Sequence, residues 1–388
     1  MFIIFTTVLI DLIGFGMVIP LIGLYGRHYG ASNLQLSILG CIYSLMQFAF
    51  APIWGQLSDR VGRRPILLLS LAGSTLSYVL FALAPNYEWL LFSRALGGVF
   101  AANISTAQAY IADITPPKDR AQGMGLIGAA FGIGFTFGPP LGGIASAKLG
   151  LAAPGLIAAA ICGLNFIFAI FRLPESLPVE LRQTTSNKIR PKHLNQVWDS
   201  LKKPELGTLL LTFFLVTFAF STIEQTFSLL FQSKFELPTG EAGYRTGLVL
   251  MVAGILGAVI QGGLIRKLVL RYGEKNLLIK GLILNVIGMA IFPYCPSYML
   301  YFLIIIPLAC GSGLINPSLS SLISQSVGAT EQGRTLGLSQ GLGSLARAAG
   351  PFCGLLTFAV KPELPFLIAS GISIILLLLH TSKRTRLA

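Results

Sequence analysis

Charge is what this chain has least of. Asp, Glu, Lys and Arg make up 11% of its 388 residues, against about 25% in a soluble globular domain, which excludes an ordinary water-soluble fold. Histidine is nearly absent, with only His28, His193 and His380, so there is little imidazole chemistry to consider. Cys41, Cys162, Cys295, Cys310 and Cys353 lie in or beside apolar stretches without a CxxC or Cys/His cluster, which argues against a disulfide framework or a zinc site. No metal is expected. The sequence also lacks GxxxxGK[ST], HExxH and GxSxG patterns, so neither an enzyme nor a bound cofactor is expected. What fills the chain instead is apolar: 54% of residues are hydrophobic, too many for disorder, and they stand in runs that must face lipid.

A bilayer core about 30 Å thick takes about 20 apolar residues of helix. Twelve stretches qualify, near 2–24, 34–54, 65–84, 88–112, 123–147, 152–172, 206–232, 243–265, 276–295, 298–323, 334–359 and 363–381. They predict an all-α membrane protein of twelve transmembrane helices. No Lys or Arg precedes the first stretch and Asp11 lies inside it, features foreign to a cleaved signal, so it is read as a retained span. Alternate loops differ sharply in charge. One side collects 20 Lys and Arg, and the other has only Arg27, Lys148, Lys234, Arg245 and Lys361. The positive-inside rule then places both termini in the cytoplasm, and the net charge of +13 reads as a topology signal with no nucleic-acid partner behind it.

The polar, basic stretch 173–205 divides the chain into two six-span bundles, 1–172 and 206–388. An offset of 212 superposes Gly138-Pro139 on Gly350-Pro351, Gly125 on Gly337 and Gly142 on Gly354. Independently, Arg60-Val-Gly62-Arg63-Arg64 matches Arg271-Tyr-Gly273-Glu-Lys275 at an offset of 211. Paired halves of this kind build a central cavity in secondary transporters, and one chain carrying both halves is expected to work as a monomer.

Between the second and third stretches runs Gly55-Gln-Leu-Ser-Asp59-Arg60-Val-Gly62-Arg63-Arg64-Pro65. Gly55 would allow close helix approach and Gly62 a tight turn, Asp59 suits a helix N-terminus, and the arginines suit carboxylates or lipid phosphates. This loop resembles the signature G-x-x-x-D-R-x-G-R-R of the major facilitator superfamily, and is read as a gating loop. The fifth stretch carries Gly134-Phe-Thr-Phe-Gly138-Pro139-Pro140-Leu-Gly142-Gly143, which is similar to the motif marking antiporters of that superfamily. Small residues four apart make a groove for a neighbouring helix, and the proline loosens the backbone. The phrases Asp11-Leu-Ile-Gly14-Phe-Gly16 and Arg94-Ala-Leu-Gly97-Gly98, with Asn103, Gln108 and Asp113 following, resemble the drug:proton antiporter branch. The resemblance implies the two-bundle major facilitator fold, and the compact loops resemble those of a bacterial inner-membrane protein.

Ionisable groups deep in the stretches are confined to Asp11, Arg94, Glu224 and Arg347. Each costs about 2.5–3.5 kcal/mol to insert, so each must face the interior or a partner. They are the proton-coupling candidates: a carboxyl moved between an apolar surround and an arginine loads and releases a proton. A static ion pair holding helices in register is the competing reading. Asp11 and Glu224 stand in equivalent stretches at an offset of 213, and nothing in the pattern says which titrates. Gln47, Asn103, Gln108, Gln225, Gln261, Asn316 and Gln340 are the amides in otherwise apolar stretches. They are candidates to line a substrate cavity, or simply to bridge helices.

The expectation is a proton-coupled exporter of small organic, drug-like compounds. A carrier of a metabolite or sugar is the alternative, and a non-transporting receptor or scaffold a lesser one. Tetracycline exporters look similar over nearly the whole chain, yet they carry an acid where Ser77 stands and a histidine where Gly257 stands. Both departures count against tetracycline itself.

Overall fold

The computed structural model describes residues 2–115, 120–182, 204–327 and 332–382. Residues 183–203, the greater part of the expected linker, lie outside the described residues. All regular structure among the described residues is helical: α1 (Phe2–Val18), α2 (Ile22–His28), α3 (Asn33–Val61), α4 (Arg63–Ala82), α5 (Tyr87–Phe100), α6 (Ile104–Ile114), α7 (Arg120–Leu149) and α8 (Ala153–Arg172). After the linker follow α9 (Pro204–Glu224), α10 (Thr226–Lys234), α11 (Thr239–Val259), α12 (Ile265–Tyr272), α13 (Glu274–Ile291), α14 (Tyr298–Gln325), α15 (Gln332–Val360) and α16 (Leu364–Ser382). Eleven helical runs among the described residues are long and apolar enough to cross a membrane. The stretch expected as the fifth span is the 30-residue helix α7, some of whose side chains lie outside the described residues.

Four runs are interrupted where the sequence alone suggested continuous helix. A 3₁₀ turn at Ile19–Leu21 separates α1 from α2, where Pro20 offers no N–H. Another at Ala101–Asn103 separates α5 from α6. Gln225 stands alone between α9 and α10, and a π-helical turn at Ile260–Leu264 joins α11 to α12.

Packing divides the chain into two compact units, Met1–Ser186 with Phe227–Leu248 and Asn187–Thr226 with Val249–Ala388. In the first, Ile4, Val8 and Leu12 of α1 bury against Leu67 and Leu71 of α4 and Ala107 and Ile111 of α6. In the second, Leu206 and Leu210 of α9 bury against Leu278 and Leu282 of α13 and Leu319 and Ile323 of α14. The repeat is thus present in the packing. The offset of 211 carries Leu67 and Leu71 onto Leu278 and Leu282, and the offset of 212 carries Ala107 and Ile111 onto Leu319 and Ile323.

Backbone contacts repeat as well. A Cβ on Gly138 would lie 2.6 Å from the Gly16 carbonyl carbon and one on Gly142 2.1 Å from the Met17 oxygen, so α7 touches α1 main chain to main chain. At the equivalent positions a Cβ on Gly350 would lie 2.7 Å from Ser221 Cβ and one on Gly354 2.0 Å from the Thr222 oxygen. Gly134 is equally tight, 2.9 Å from Leu12. The other side of α7 serves a second neighbour: a Cβ on Gly143 would meet the Gly243 oxygen at 2.5 Å, and one on Gly247 the Pro139 oxygen at 2.8 Å. The expected groove of small residues therefore has α1 in it on one side and α11 on the other. Gly55 behaves differently. Its Cβ would meet only Ser105 Oγ, at 3.7 Å, an ordinary contact, and the tight crossing in this region falls at Gly98, 2.2 Å from the Tyr43 oxygen.

Candidate functional site

In the first unit, Asp11 is partly accessible although it lies within α1, and its carboxylate is hydrogen-bonded by the side chains of Asn103 and Ser74. The 3₁₀ turn sets this up. At the turn Ala101–Asn103, Gln47 Nε2 donates to the Ala101 carbonyl at 3.0 Å. Gln47 thereby ties α3 to the turn and holds Asn103 in place, a bridging role. Gln108, one turn further along, is half-buried.

Arg94 on α5 is only 3% exposed. Its guanidinium carbon lies 4.3 Å from the centroid of the Tyr43 ring, a cation–π contact worth about 0.5–2 kcal/mol. Phe15 packs on the far part of the same cluster, its ring centroid 4.9 Å from that of Tyr43. Among the described residues no carboxylate forms an ion pair with Arg94, and its Nε has no hydrogen-bond partner. Tyr78 lies within electrostatic reach of both Asp11 and Arg94. The two charged candidates are therefore neighbours through a phenol, not through a direct ion pair. Ser77, buried beside them, donates to the Ser74 carbonyl at 2.8 Å.

In the second unit, Glu224 closes α9 and is 5% exposed. Arg347 on α15 lies within electrostatic reach of it. Arg347 Nη2 donates to Ser344 Oγ at 3.1 Å, and that hydroxyl donates to the Gln340 carbonyl at 3.1 Å, so the candidate Gln340 enters through its main chain. Gln225, next to Glu224, is buried, whereas Gln261 in the π-helical turn and Asn316 on α14 are exposed. An amide exposed within a span needs water or a polar ligand beside it, and π-turns recur at functional positions.

The loop 55–64, read in sequence as a gate, is bonded at several points. Gly62 has φ of +107°, the conformation expected of a glycine there, and it launches α4 directly. Arg63 contacts Asp59 through Nη1, Asp113 Oδ2 through Nε at 3.2 Å and Ser58 Oγ through Nη1 at 2.8 Å. Arg64 Nη2 donates to the Ile170 carbonyl at 2.7 Å, while Arg60 is exposed.

A residue that sequence reasoning missed organises this end. Glu175, just beyond α8, accepts the backbone N–H of Arg63 at 2.9 Å, Arg64 at 3.3 Å, Ser176 at 3.0 Å and Leu177 at 3.1 Å. Its carboxylate serves as a remote cap, satisfying N–H groups that the first turn of α4 cannot and placing negative charge where the helix dipole favours it. Replacing Glu175 with alanine is expected to cost about 1–3 kcal/mol in thermal unfolding of the purified protein. Glu175→Gln, which keeps one acceptor oxygen, should recover part of that loss.

The second unit repeats the joint with other chemistry. Gly273, with φ of +73°, launches α13, and Glu274 Oε1 accepts from Ser321 Oγ and Gln325 Nε2, each at 3.1 Å. Glu274 stands at the place of Arg63 by the offset of 211, and Gln325 at the place of Asp113 by the offset of 212. The pair Arg63–Asp113 is thus answered by Glu274–Gln325. Among the described residues no group of His, Cys, Asp and Glu is placed to hold a metal.

Residues 4–351, and again 267–386, match the Major Facilitator Superfamily. The tetracycline resistance protein, class E, of Escherichia coli is 32% identical, over 92% of this chain and 87% of its own length. Multidrug resistance protein 2 of Bacillus subtilis is 30% identical, over 96% and 92%. Among solved structures, the human organic anion transporter MFSD10 (TETRAN) is similar with a TM-score of 0.73 and 28% identity, over 97% of this chain and 98% of its own.

Proposed function

This chain belongs to the Major Facilitator Superfamily as a multi-pass membrane transporter, and from that premise we propose that it exports small organic, drug-like compounds in exchange for protons. It works by alternating access, as a monomer, in a bacterial inner membrane with both termini in the cytoplasm. Its two six-helix bundles, 1–172 and 206–388, are joined by the basic linker 173–205. The observation that carries the reading is the setting of Asp11: a partly accessible carboxylate deep in a span, hydrogen-bonded by Asn103 and Ser74 and linked electrostatically through Tyr78 to the buried Arg94. A carboxylate of this kind takes a proton from one side and releases it to the other when its surroundings exchange. Asp11 carries the proton in this scheme, and Glu224 with Arg347 is the static pair of the second half.

The similarity to tetracycline and multidrug resistance proteins supports a drug-like substrate. Tetracycline itself fits less well, since Ser77 and Gly257 stand where its exporters carry acid and histidine. The test uses inside-out vesicles acidified by respiration and loaded with a pH-quenched dye. A panel of lipophilic cations, weak bases, antibiotics and sugars is added in turn. Proton release by a drug-like compound in native vesicles, and its loss in Asp11→Asn vesicles, is the expected result. Release by sugars alone would redirect the reading to a metabolite carrier.

One observation favours a second reading. Arg94 is a buried cation with no carboxylate ion pair among the described residues, a costly arrangement unless an anion visits it. Organic anions are then the substrates, the class of compound that the similar human organic anion transporter is named for. Arg94→Gln separates the two readings: loss confined to organic anions supports the second, and loss of release by every compound places Arg94 in the coupling machinery of the first.

A further inference from the structure

By their chemistry the arginines of the first gating loop suit either carboxylates or lipid phosphates. In the structure Arg63 and Arg64 are taken up inside the protein, by Asp59, Asp113 and the Ile170 carbonyl. The equivalent joint of the second half has basic residues with no such partners. Helix α12 packs Ile265, Leu268 and Val269 against Ile260, Leu277 and Leu314, a stripe at helical spacing. Its other face presents Arg266, Lys267, Leu270 and Arg271, all exposed. Lys275 and Lys280 of α13 are exposed as well. Among the described residues none of these five cations forms an ion pair. The nearest acid in sequence, Glu274, is turned to Ser321 and Gln325.

Two of the cations converge. Lys280 Nζ lies 3.4 Å from the centroid of the Tyr272 ring, and the Arg271 guanidinium carbon lies 5.4 Å from the same centroid. Like charges brought to one small ring repel unless an anion sits with them. Lys280 stands six residues beyond the first residue of α13, about 9 Å along the helix, and its side chain reaches back toward Tyr272, as a lysine does at a membrane interface. Leu270, 81% exposed between Lys267 and Arg271, has no protein surface to cover it. A phenol ring, two converging cations and an uncovered leucine at the junction of two spans match a lipid molecule: headgroup phosphate on the cations, acyl chain on the leucine.

We propose that the α12–α13 junction is a binding site for an anionic phospholipid, its headgroup phosphate held by Arg271 and Lys280 beside Tyr272 and flanked by Arg266, Lys267 and Lys275. The site is placed in the second half because in the first half Arg63 is paired with Asp59 and Asp113 and Arg64 is bonded to the Ile170 carbonyl.

The test is native mass spectrometry of the delipidated full-length protein, titrated with phosphatidylglycerol or phosphatidylcholine of the same acyl chains. The native protein is expected to retain phosphatidylglycerol at a lipid concentration about tenfold lower. Arg271→Gln/Lys280→Gln should remove that preference, and Lys361→Gln, which deletes an exposed cation elsewhere, should keep it. If the double variant does not fold, Lys280→Gln alone carries the test. Equal retention of the two lipids by native protein overturns the proposal, as does an undiminished preference in the folded variant. Complete displacement of phosphatidylglycerol by inorganic phosphate at about 10 mM, where screening is still weak, also overturns it, by showing that the site takes free phosphate.

Discussion

Vesicles carrying Asp11→Asn will bring a transported compound only to equal concentrations on the two sides. For an exchange of one proton per neutral compound, native vesicles at about 100 mV will hold it at a ratio of about 50 to 1, because each proton crossing that potential supplies about 2.3 kcal/mol. The asparagine keeps the size of the aspartate and can still bond Asn103 and Ser74, so the substrate path and helix packing persist and exchange of labelled for unlabelled compound continues. Only the proposed seat of the proton is gone. Glu224→Gln should retain most of the gradient, since Glu224 is 5% exposed at the end of α9 within electrostatic reach of Arg347, while Asp11 is only partly buried. Loss of the gradient in Glu224→Gln with a full gradient in Asp11→Asn would reverse these roles. Full gradients in both would remove the carboxylates from coupling altogether.

The second large effect is one of packing. Alanine at Gly142 or Gly354 puts a methyl carbon 2.1 or 2.0 Å from a main-chain oxygen, that of Met17 or Thr222. Neither neighbour is the movable tip of a side chain, so the helices must separate. Overpacking in a close-packed interior costs about 1–3 kcal/mol, and contact with backbone puts these two at the upper end. Gly337→Ala and Gly341→Ala are the matched comparison. Like Gly354 they lie on α15, and a Cβ at either meets nothing within 4 Å. Replacing glycine by alanine inside a helix should then stabilise by about 0.5–1 kcal/mol. Opposite signs in thermal unfolding of detergent-purified protein are expected from four substitutions of one chemical kind. Equal effects would mean that the interhelical approach at Gly142 and Gly354 is looser than the structure shows.

The helices and their duplication were legible because they rest on repeated signals. A run of apolar residues long enough to cross a bilayer is hard to mistake, and Gly138, Gly142, Gly350 and Gly354 share a register that the packing reproduces. Isolated signals were harder to read. Glu175 is one acid after a proline in a loop, with no period to mark it, and its four N–H partners come together only in the fold. Tyr43 and Tyr78 belong to the site around Asp11 and Arg94, yet an aromatic facing a buried guanidinium looks, in sequence, like one facing lipid. The amides show the same ambiguity resolved in different ways: Gln47 bridges two helices, Asn103 reaches Asp11, and Gln261 and Asn316 are exposed. Hydropathy also passes straight over the breaks at Asn103 and Gln225, because interrupting a helix does not make its residues less apolar.

The unlike joints at Arg63–Asp113 and Glu274–Gln325 give the duplicated halves unlike responses to ionic strength. A guanidinium and a carboxylate attract through net charge, and dissolved salt shields whatever part of that attraction passes through water over about 8 Å at physiological strength. The Glu274 carboxylate accepts from an amide and a hydroxyl and forms no ion pair among the described residues, so its hold depends on contact geometry more than on the ions in solution. The same turn, built twice from one pattern, is thus sensitive to salt in one copy and largely indifferent to it in the other.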